Sequence, residues 1–140
     1  MAQNYGNKSH YLIDSLDISN LNDKDEKLID SCLKVFHTAK DDTSKIKAIR
    51  YIVEESWDDN VWPKYNWWLF NFLEVKLKES EPDPILKKSL QIAYAATINN
   101  TGFLYQDLGK TYLALDYYHK SLKIQEELND KNGLADTYNN

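Results

Sequence analysis

Three residue types that interrupt or cross-link small folds are scarce in this chain of 140 residues: it has four glycines, three prolines and one cysteine. Because glycine and proline are the main helix breakers, their scarcity predicts long helices with few interruptions. The single cysteine, Cys32, excludes a disulfide within the chain. Stability must therefore come from a packed core, and a chain of this length can form one.

Long apolar runs and an excess of basic charge are also missing. No apolar run approaches the roughly 18 residues that a membrane-spanning helix needs. The net charge is −5 at pH 7, with both signs interspersed and no basic stripe, which argues against a nucleic-acid partner. We therefore expect neither membrane insertion of this segment nor nucleic-acid binding.

The N-terminus has neither the basic segment nor the apolar core of a signal peptide. The chain begins Met-Ala-Gln-Asn-Tyr, and a methionine before a small polar start is also what remains when a signal peptide is deleted for expression. These two interpretations weigh about equally. The compartment is accordingly expected to be cytoplasmic or, if a signal peptide was removed, periplasmic.

Residue types used in catalysis and metal binding form no recognisable constellation. His10, His37 and His119 lie far apart, without HExxH or Cys/His spacing. Glycine-rich phosphate loops and nucleophile elbows are missing as well. The sequence thus predicts no enzyme active site, no metal site and no cofactor. His119 is expected on the surface and Cys32 in the core.

Apolar residues recur at helical spacing through most of the chain after residue 21, and no strand pattern competes. The segment 1–21 is polar, with a short helix expected around 11–16. Asn22 or Asp23 is expected to cap the first long helix, and Thr43 or Ser44 to begin the second. A third is expected over about 61–79.

Turn residues divide the second half of the chain. Asp83 followed by Pro84 is typical of a helix start, and Gly109 of a helix stop. The segment 129–133 is expected to be a turn. Three helices follow from these boundaries, over about 85–108, 111–128 and 134–140, so the predicted fold class is all-α.

The most informative pattern is an internal repeat. Residues 135–140, ADTYNN, match residues 95–100, AATINN, at four of six positions with an offset of 40. Self-similarity at a fixed period of this size is the signature of stacked repeats. Because the chain ends six residues into the second copy, we expect it to be a fragment of a longer array.

Within the first copy, Ile98 lies four residues before Gly102 and Tyr105 three after it, while Ala114 and Tyr118 follow 12 and 16 residues beyond Gly102. This spacing resembles a tetratricopeptide repeat, a pair of antiparallel helices. The resemblance implies that Gly102 and Ala114 are small because the two helices approach closely there. Large side chains are expected to fill the space on either side of that contact: Ile98, Tyr105, Leu115 and Tyr118.

The chain departs from the repeat pattern in identifiable places. Isoleucine replaces tryptophan at Ile98, threonine replaces leucine at Thr101, serine replaces alanine at Ser121, and Glu126 stands where proline would end the unit. The period is 40 rather than about 34 residues. This longer form is similar to bacterial repeat arrays that precede histidine kinase, nucleotide cyclase or regulator output domains, in which a helix like that of residues 41–49 often leads in.

The resemblance implies hairpins stacked as an α-solenoid, a superhelix of the tetratricopeptide type with divergent N-terminal capping helices. Its last helix, without an antiparallel partner, is expected to cover the preceding hairpin, to fray or to pack on another molecule. The expected organisation is a polar segment 1–21, a divergent helical cap region 22–94, one complete repeat 95–134 and a truncated first helix 135–140.

In repeats of this family the first helix of each unit lines a concave groove, which here implies Ala96, Asn99, Phe103 and Gln106. An asparagine there can bind a peptide backbone, while one asparagine of each repeated pair is expected to brace neighbouring helices. The resulting hypothesis is a protein or peptide interaction module, the N-terminal sensor or scaffold part of a longer signalling protein. The alternative is a self-association module that controls an attached output domain.

Aromatic residues are concentrated between positions 57 and 72. We expect this cluster mainly in the core, with Trp68, Phe72 and Val75 sharing one helical face and the second helix extending its apolar stripe to Trp57. Trp67 and Phe70 cannot be equally buried on that face. Small-molecule sensing in this cluster ranks below the interaction hypotheses. The cluster consists of Trp57, Trp62, Tyr65, Trp67, Trp68, Phe70 and Phe72.

Overall fold

A computed structural model describes residues 21–79 and 83–140, so the short helix expected around 11–16 lies outside the described residues. The described part of the chain contains helices and no strand, which confirms the all-α prediction for those residues. The helices are α1 (Asp23–Thr38), α2 (Asp42–Glu55), α3 (Trp62–Lys78), α4 (Pro84–Asp107), α5 (Thr111–Leu128) and α6 (Lys131–Asn139). The chain divides into two compact units, Met1–Leu69 and Phe70–Asn140.

Side-chain caps fix the starts of the first two helices. The Asn22 Oδ1 accepts a hydrogen bond from the Asp25 backbone N–H at 2.9 Å, as one of the two predicted caps would. The predicted start of α2 is wrong by one or two residues, because Asp41 is the cap. Its carboxylate accepts from both the backbone N–H and the hydroxyl of Ser44, each at 2.8 Å, which a threonine or serine cap could not match.

The core of the first unit is built from one face of each helix. Phe36 packs edge-to-face on Trp68, with ring centroids 5.1 Å apart and planes at 83°. Cys32 is buried as predicted, and burial raises the pKa of its thiol. The other apolar side chains buried in this unit are Ile29, Ile46, Ala48, Ile49, Ile52, Val53, Val61, Trp62, Tyr65 and Leu69.

The buried stripe of α3 lies about one residue away from the predicted one. Leu69 and Leu73 are almost fully enclosed, whereas Val75 is 58% exposed and Phe72 is half-buried. Each residue rotates a helix by about 100°, so the stripe through Leu69 and Leu73 turns Val75 outward. The prediction that Val75 belongs to the core is therefore wrong, while that for Trp68 is confirmed.

The α4–α5 pair begins and turns where the sequence predicts. The Asp83 carboxylate accepts hydrogen bonds from the N–H groups of Ile85 and Leu86, with Pro84 in the first turn. Gly109 has a φ of 72°, a left-handed conformation that glycine adopts without strain. The Lys110 N–H donates to the Tyr105 carbonyl at 2.8 Å, which closes the end of α4.

The last helix begins earlier than predicted. Asn129 takes a left-handed conformation and Asp130 caps α6, its Oδ1 accepting from the Gly133 N–H at 3.1 Å. Gly133 therefore lies inside α6 rather than in a turn. The predicted turn over 129–133 is confined to residues 129 and 130, because the Asp130 side chain supplies the cap two residues after α5 ends.

Candidate functional site

The two helices of the α4–α5 hairpin approach closely at Gly102. A methyl group in place of its hydrogen would lie 2.7 and 2.8 Å from two ring carbons of Tyr118 and 3.2 Å from the Ala114 carbonyl oxygen. Gly102, Ala114 and Tyr118 are all buried. The structure therefore brings together three of the residues singled out in the sequence, and only a residue without a Cβ fits at position 102 unless Tyr118 shifts.

A buried hydrogen bond also joins the same two helices, closer to the start of α4. The Ser121 hydroxyl donates to the Ala95 carbonyl at 2.8 Å, and both residues are fully enclosed. This bond accounts for a serine at a position where the repeat pattern has alanine. Ile98 is also buried, whereas the prediction that Leu115 fills the space at the hairpin contact is wrong, since Leu115 is 47% exposed.

Stacked tyrosines lie on the other side of the hairpin contact. Tyr105 of α4 stacks on Tyr117 of α5 with ring centroids 5.4 Å apart. Lys110 lies 5.8 Å from the centroid of the first ring and Lys120 5.4 Å from that of the second. The two rings stack on each other, and each ring also has one lysine ammonium group over it. These contacts hold α4 and α5 together.

The α6 helix packs on the hairpin through buried polar groups. The Thr137 hydroxyl donates to the Oε1 of Gln125 at 2.9 Å, and both side chains are enclosed. Gly133 leaves room for the same glutamine, whose Nε2 lies 2.8 Å from the position of an added Cβ. Of the alternatives considered for the last helix, covering the preceding hairpin is the one observed.

The two copies of the repeated segment touch each other. The Asn140 Nδ2 donates to the Asn99 Oδ1 at 3.1 Å. Asn140 is the 40-residue counterpart of Asn100, so the second asparagine of one copy braces the first asparagine of the other. A bracing role for one asparagine of each pair was predicted, and this contact supplies it for Asn140.

The four α4 residues that were expected in the groove differ in their solvent exposure. Asn99 is 8% exposed and its Oδ1 accepts the hydrogen bond from Asn140, whereas Phe103 is 39% exposed. Ala96 is half-buried and Gln106 is exposed. The Gln106 Oε1 accepts a hydrogen bond of 3.0 Å from the Tyr118 hydroxyl, which fixes the orientation of the glutamine side chain.

The Tyr118 hydroxyl that orients Gln106 is partly enclosed. Burial, followed by the negative charge of Asp107, raises the pKa of Tyr118. The hydroxyl therefore keeps its proton and its role as a hydrogen-bond donor throughout the neutral range. On α6, the 40-residue counterparts of Ala96 and Asn99 are Asp136 and Asn139, and both are exposed.

An exposed apolar surface at the start of α5 was not anticipated from the sequence. Tyr112 is 92% exposed, and Leu108, Leu113 and Leu115 are also largely exposed. A shallow depression of about 350 Å³ lies at residues 109–113. Of these residues only Leu115 was expected to fill space at the hairpin contact, whereas Ala114 and Tyr118 are the buried residues there.

The aromatic cluster between residues 57 and 72 divides between core and surface. Trp62, Tyr65 and Trp68 are buried, which confirms the core interpretation for them. Trp57 lies beyond the end of α2 and is 87% exposed, so its predicted place on the α2 stripe is wrong. Trp67 is also exposed, consistent with the expectation that it cannot share the buried face.

None of the helices in the described ranges is long and apolar enough to cross a bilayer. No protein-family model, curated protein or solved structure matches the chain.

Proposed function

We propose that this chain is a protein-interaction module of the tetratricopeptide type, in which α4 lines a groove that binds a peptide or partner domain. The observation that supports it best is the contact between the two copies of the repeated segment, Asn99 and Asn140. The module is the N-terminal sensor or scaffold part of a longer signalling protein of bacterial type, and its hairpins stack as a solenoid.

The contacts of the α4–α5 hairpin support this proposal. The repeat pattern requires a small residue where two helices cross and a large ring packed against it, and Gly102 and Tyr118 meet in that way. In this proposal α6 is the next helix of the array. It begins shortly after α5 ends, and its Thr137 hydroxyl is hydrogen bonded to Gln125 of α5. Neighbouring units of a solenoid bury each other's faces through such contacts.

The groove strip, formed by Ala96, Asn99, Phe103 and Gln106 of α4, offers an apolar anchor between polar groups. Phe103 provides a partly exposed ring, and Gln106 lies about one turn further along α4. Because the Gln106 Oε1 already accepts from Tyr118, its amide N–H groups remain for a partner's carbonyl oxygens. Asn99 contributes to the shape of the strip through its bond with Asn140.

A peptide selection with matched variants tests the groove. Peptides are selected from a displayed random library on the chain, and their affinities are then measured for Phe103→Ala and for Tyr112→Ala, which removes a more exposed ring elsewhere. We expect Phe103→Ala to weaken binding at least tenfold and Tyr112→Ala to leave it unchanged. Equal affinity for the parent chain and Phe103→Ala would contradict the groove.

Self-association is a second candidate, supported by the exposed apolar residues Leu108, Tyr112 and Leu113. Such patches on a soluble protein commonly mark an interface. The mass in solution, measured from micromolar to near-millimolar concentration, separates the two candidates. A monomer throughout that range would exclude dimerisation of this chain, and a dimer that Tyr112→Ala dissociates would support it.

A further inference from the structure

The most exposed tryptophan of the chain is held on an ordered loop. Trp57 follows the C-terminal cap of α2 and is 87% exposed, although the neighbouring Ser56 is buried. The Ser56 N–H donates to the Ile52 carbonyl at 3.0 Å, and the Ser56 hydroxyl oxygen accepts from the Asp58 N–H at 3.4 Å. The backbone on both sides of the indole is thus fixed.

Hydrogen bonds after Trp57 complete this support. The Asp58 Oδ1 accepts from the Asn60 N–H at 2.8 Å, which forms a side-chain turn. The Asp59 Oδ1 accepts from the Nε1 of the buried Trp62 at 3.2 Å. An aromatic side chain presented on a constrained loop loses little further freedom on binding, which favours its use as an interface anchor.

The charge around Trp57 determines which partner the loop suits. Residues 51–62 contain four acids and no base. Glu54 is neutralised by Arg50 at 3.1 Å, whereas Lys24 approaches the backbone carbonyl of Glu55, at 3.5 Å, rather than its carboxylate. Glu55, Asp58 and Asp59 thus lie within two residues of Trp57 along the chain, with the Lys24 ammonium approaching this acidic segment at the Glu55 carbonyl.

We propose that Trp57 and the acids beside it form a docking surface for a basic segment of a partner protein, in which an arginine side chain stacks on the indole. Arginine binds the face of tryptophan and pairs with carboxylates at the same time. The surface belongs to the first compact unit and does not depend on the proposed groove on α4, so either can fail without the other.

The proposal is tested on the whole chain with three peptides of one design, acetyl-(Gly-Arg)₃-amide and its glutamine and glutamate counterparts. Binding is followed through the four tryptophan indole N–H signals in NMR spectra. The Trp57 signal is identified by its loss in Trp57→Ala. At low salt, we expect the arginine peptide to shift the Trp57 signal and the other two peptides to leave it in place.

Variants then distinguish the contribution of the Trp57 ring to peptide binding from that of the neighbouring carboxylates. Trp57→Ala should weaken arginine-peptide binding about two- to fivefold, the range of an exposed cation–π contact. Glu55→Gln should also weaken binding of the arginine peptide, and raised salt should abolish that binding. The control variant Tyr112→Ala, which removes a 92% exposed ring elsewhere, should bind as the parent chain does.

Three results would overturn the proposal. The glutamine peptide could shift the Trp57 signal as far as the arginine peptide does, which would make the surface a general apolar one. Trp57→Ala could bind the arginine peptide unchanged. Without any peptide, the chain could self-associate through Trp57, so that a second copy would be the occupant.

Discussion

The side chains of Asn99 and Asn140 are hydrogen bonded at 3.1 Å although they are 41 residues apart in the chain. They belong to the two copies of the repeated segment, so the internal repeat of the sequence is also a contact in space. The contact places α6 against α4, beside the strip that we propose as a groove.

The hydrogen bond between Thr137 and Gln125 should anchor α6. Thr137→Val keeps the shape of the side chain but leaves the enclosed Gln125 Oε1 without its donor, which should cost about 1–3 kcal/mol of stability. Urea unfolding measures the cost, and amide hydrogen exchange should show faster opening of α6. The control is Tyr138→Phe, which removes a 3.4 Å bond at an exposed side chain and should change stability little. Equal stabilities for the two variants would contradict the anchor.

Any side chain added at position 102 should destabilise the fold, because the two helices are in close contact there. Gly102→Ala places a methyl group against the Tyr118 ring, and overpacking of this kind costs about 1–3 kcal/mol, against which the better helix propensity of alanine recovers up to about 1 kcal/mol. A double-mutant cycle with Tyr118→Leu measures the coupling by chemical unfolding. We expect the smaller leucine to relieve most of the cost. Strictly additive effects would show that the two residues do not press on each other.

The buried bond from Ser121 to the Ala95 carbonyl should make a modest contribution. Ser121→Ala restores the small residue of the repeat pattern and removes the bond, and we expect a loss of about 1 kcal/mol. Ser121→Val should be worse, because position 121 is fully enclosed and has no room for added methyl groups. Thermal unfolding ranks the three chains, and a Ser121→Val variant as stable as the alanine variant would contradict the packing.

Asp41 should make the stability of the first unit depend on pH in the acid range. Hydrogen bonds from Ser44, first from its backbone N–H and then from its hydroxyl, lower the pKa of Asp41. A carboxyl whose pKa falls on folding stabilises the fold above its unfolded pKa, and this contribution is lost as the pH falls through the lower folded value. The advantage of the parent chain over Asp41→Ala should therefore shrink below about pH 4.

The matched variant for this prediction is Asp41→Asn, which retains a capping oxygen but does not titrate. Its advantage over Asp41→Ala should stay constant across the same pH range. Unfolding midpoints measured from pH 7 to pH 2.5 provide the comparison. Parallel pH profiles for the aspartate and asparagine chains would show that the Asp41 charge has no part in capping α2.

Much of the fold could be predicted from the sequence because its signals are local. Helix caps such as Asn22 and Asp83, and the stop at Gly109, depend on a few neighbouring residues. The start of α2 was missed because Asp41, Thr43 and Ser44 are all acceptable caps, and only the geometry of the two Ser44 hydrogen bonds favours the aspartate.

The rest could not be predicted because it depends on long-range packing. A one-residue shift in the buried stripe of α3 exposes Val75 and encloses Leu73, and both faces are apolar in the sequence. Asn99 is buried and hydrogen bonded to Asn140, a partner that periodicity alone does not assign. The sequence did not indicate that Trp57 is exposed, since a tryptophan at the end of an apolar stripe is usually buried in the core.

The central claim, that α4 lines a peptide-binding groove, is tested most directly by mapping a selected peptide onto the chain. Backbone amide chemical shifts are recorded as the peptide of highest affinity is added. The account predicts that the largest changes fall on Ala96, Phe103 and Gln106 of α4 and on the exposed Asp136 and Asn139 of α6. Changes confined to residues 108–115, or scattered over both units, would contradict it.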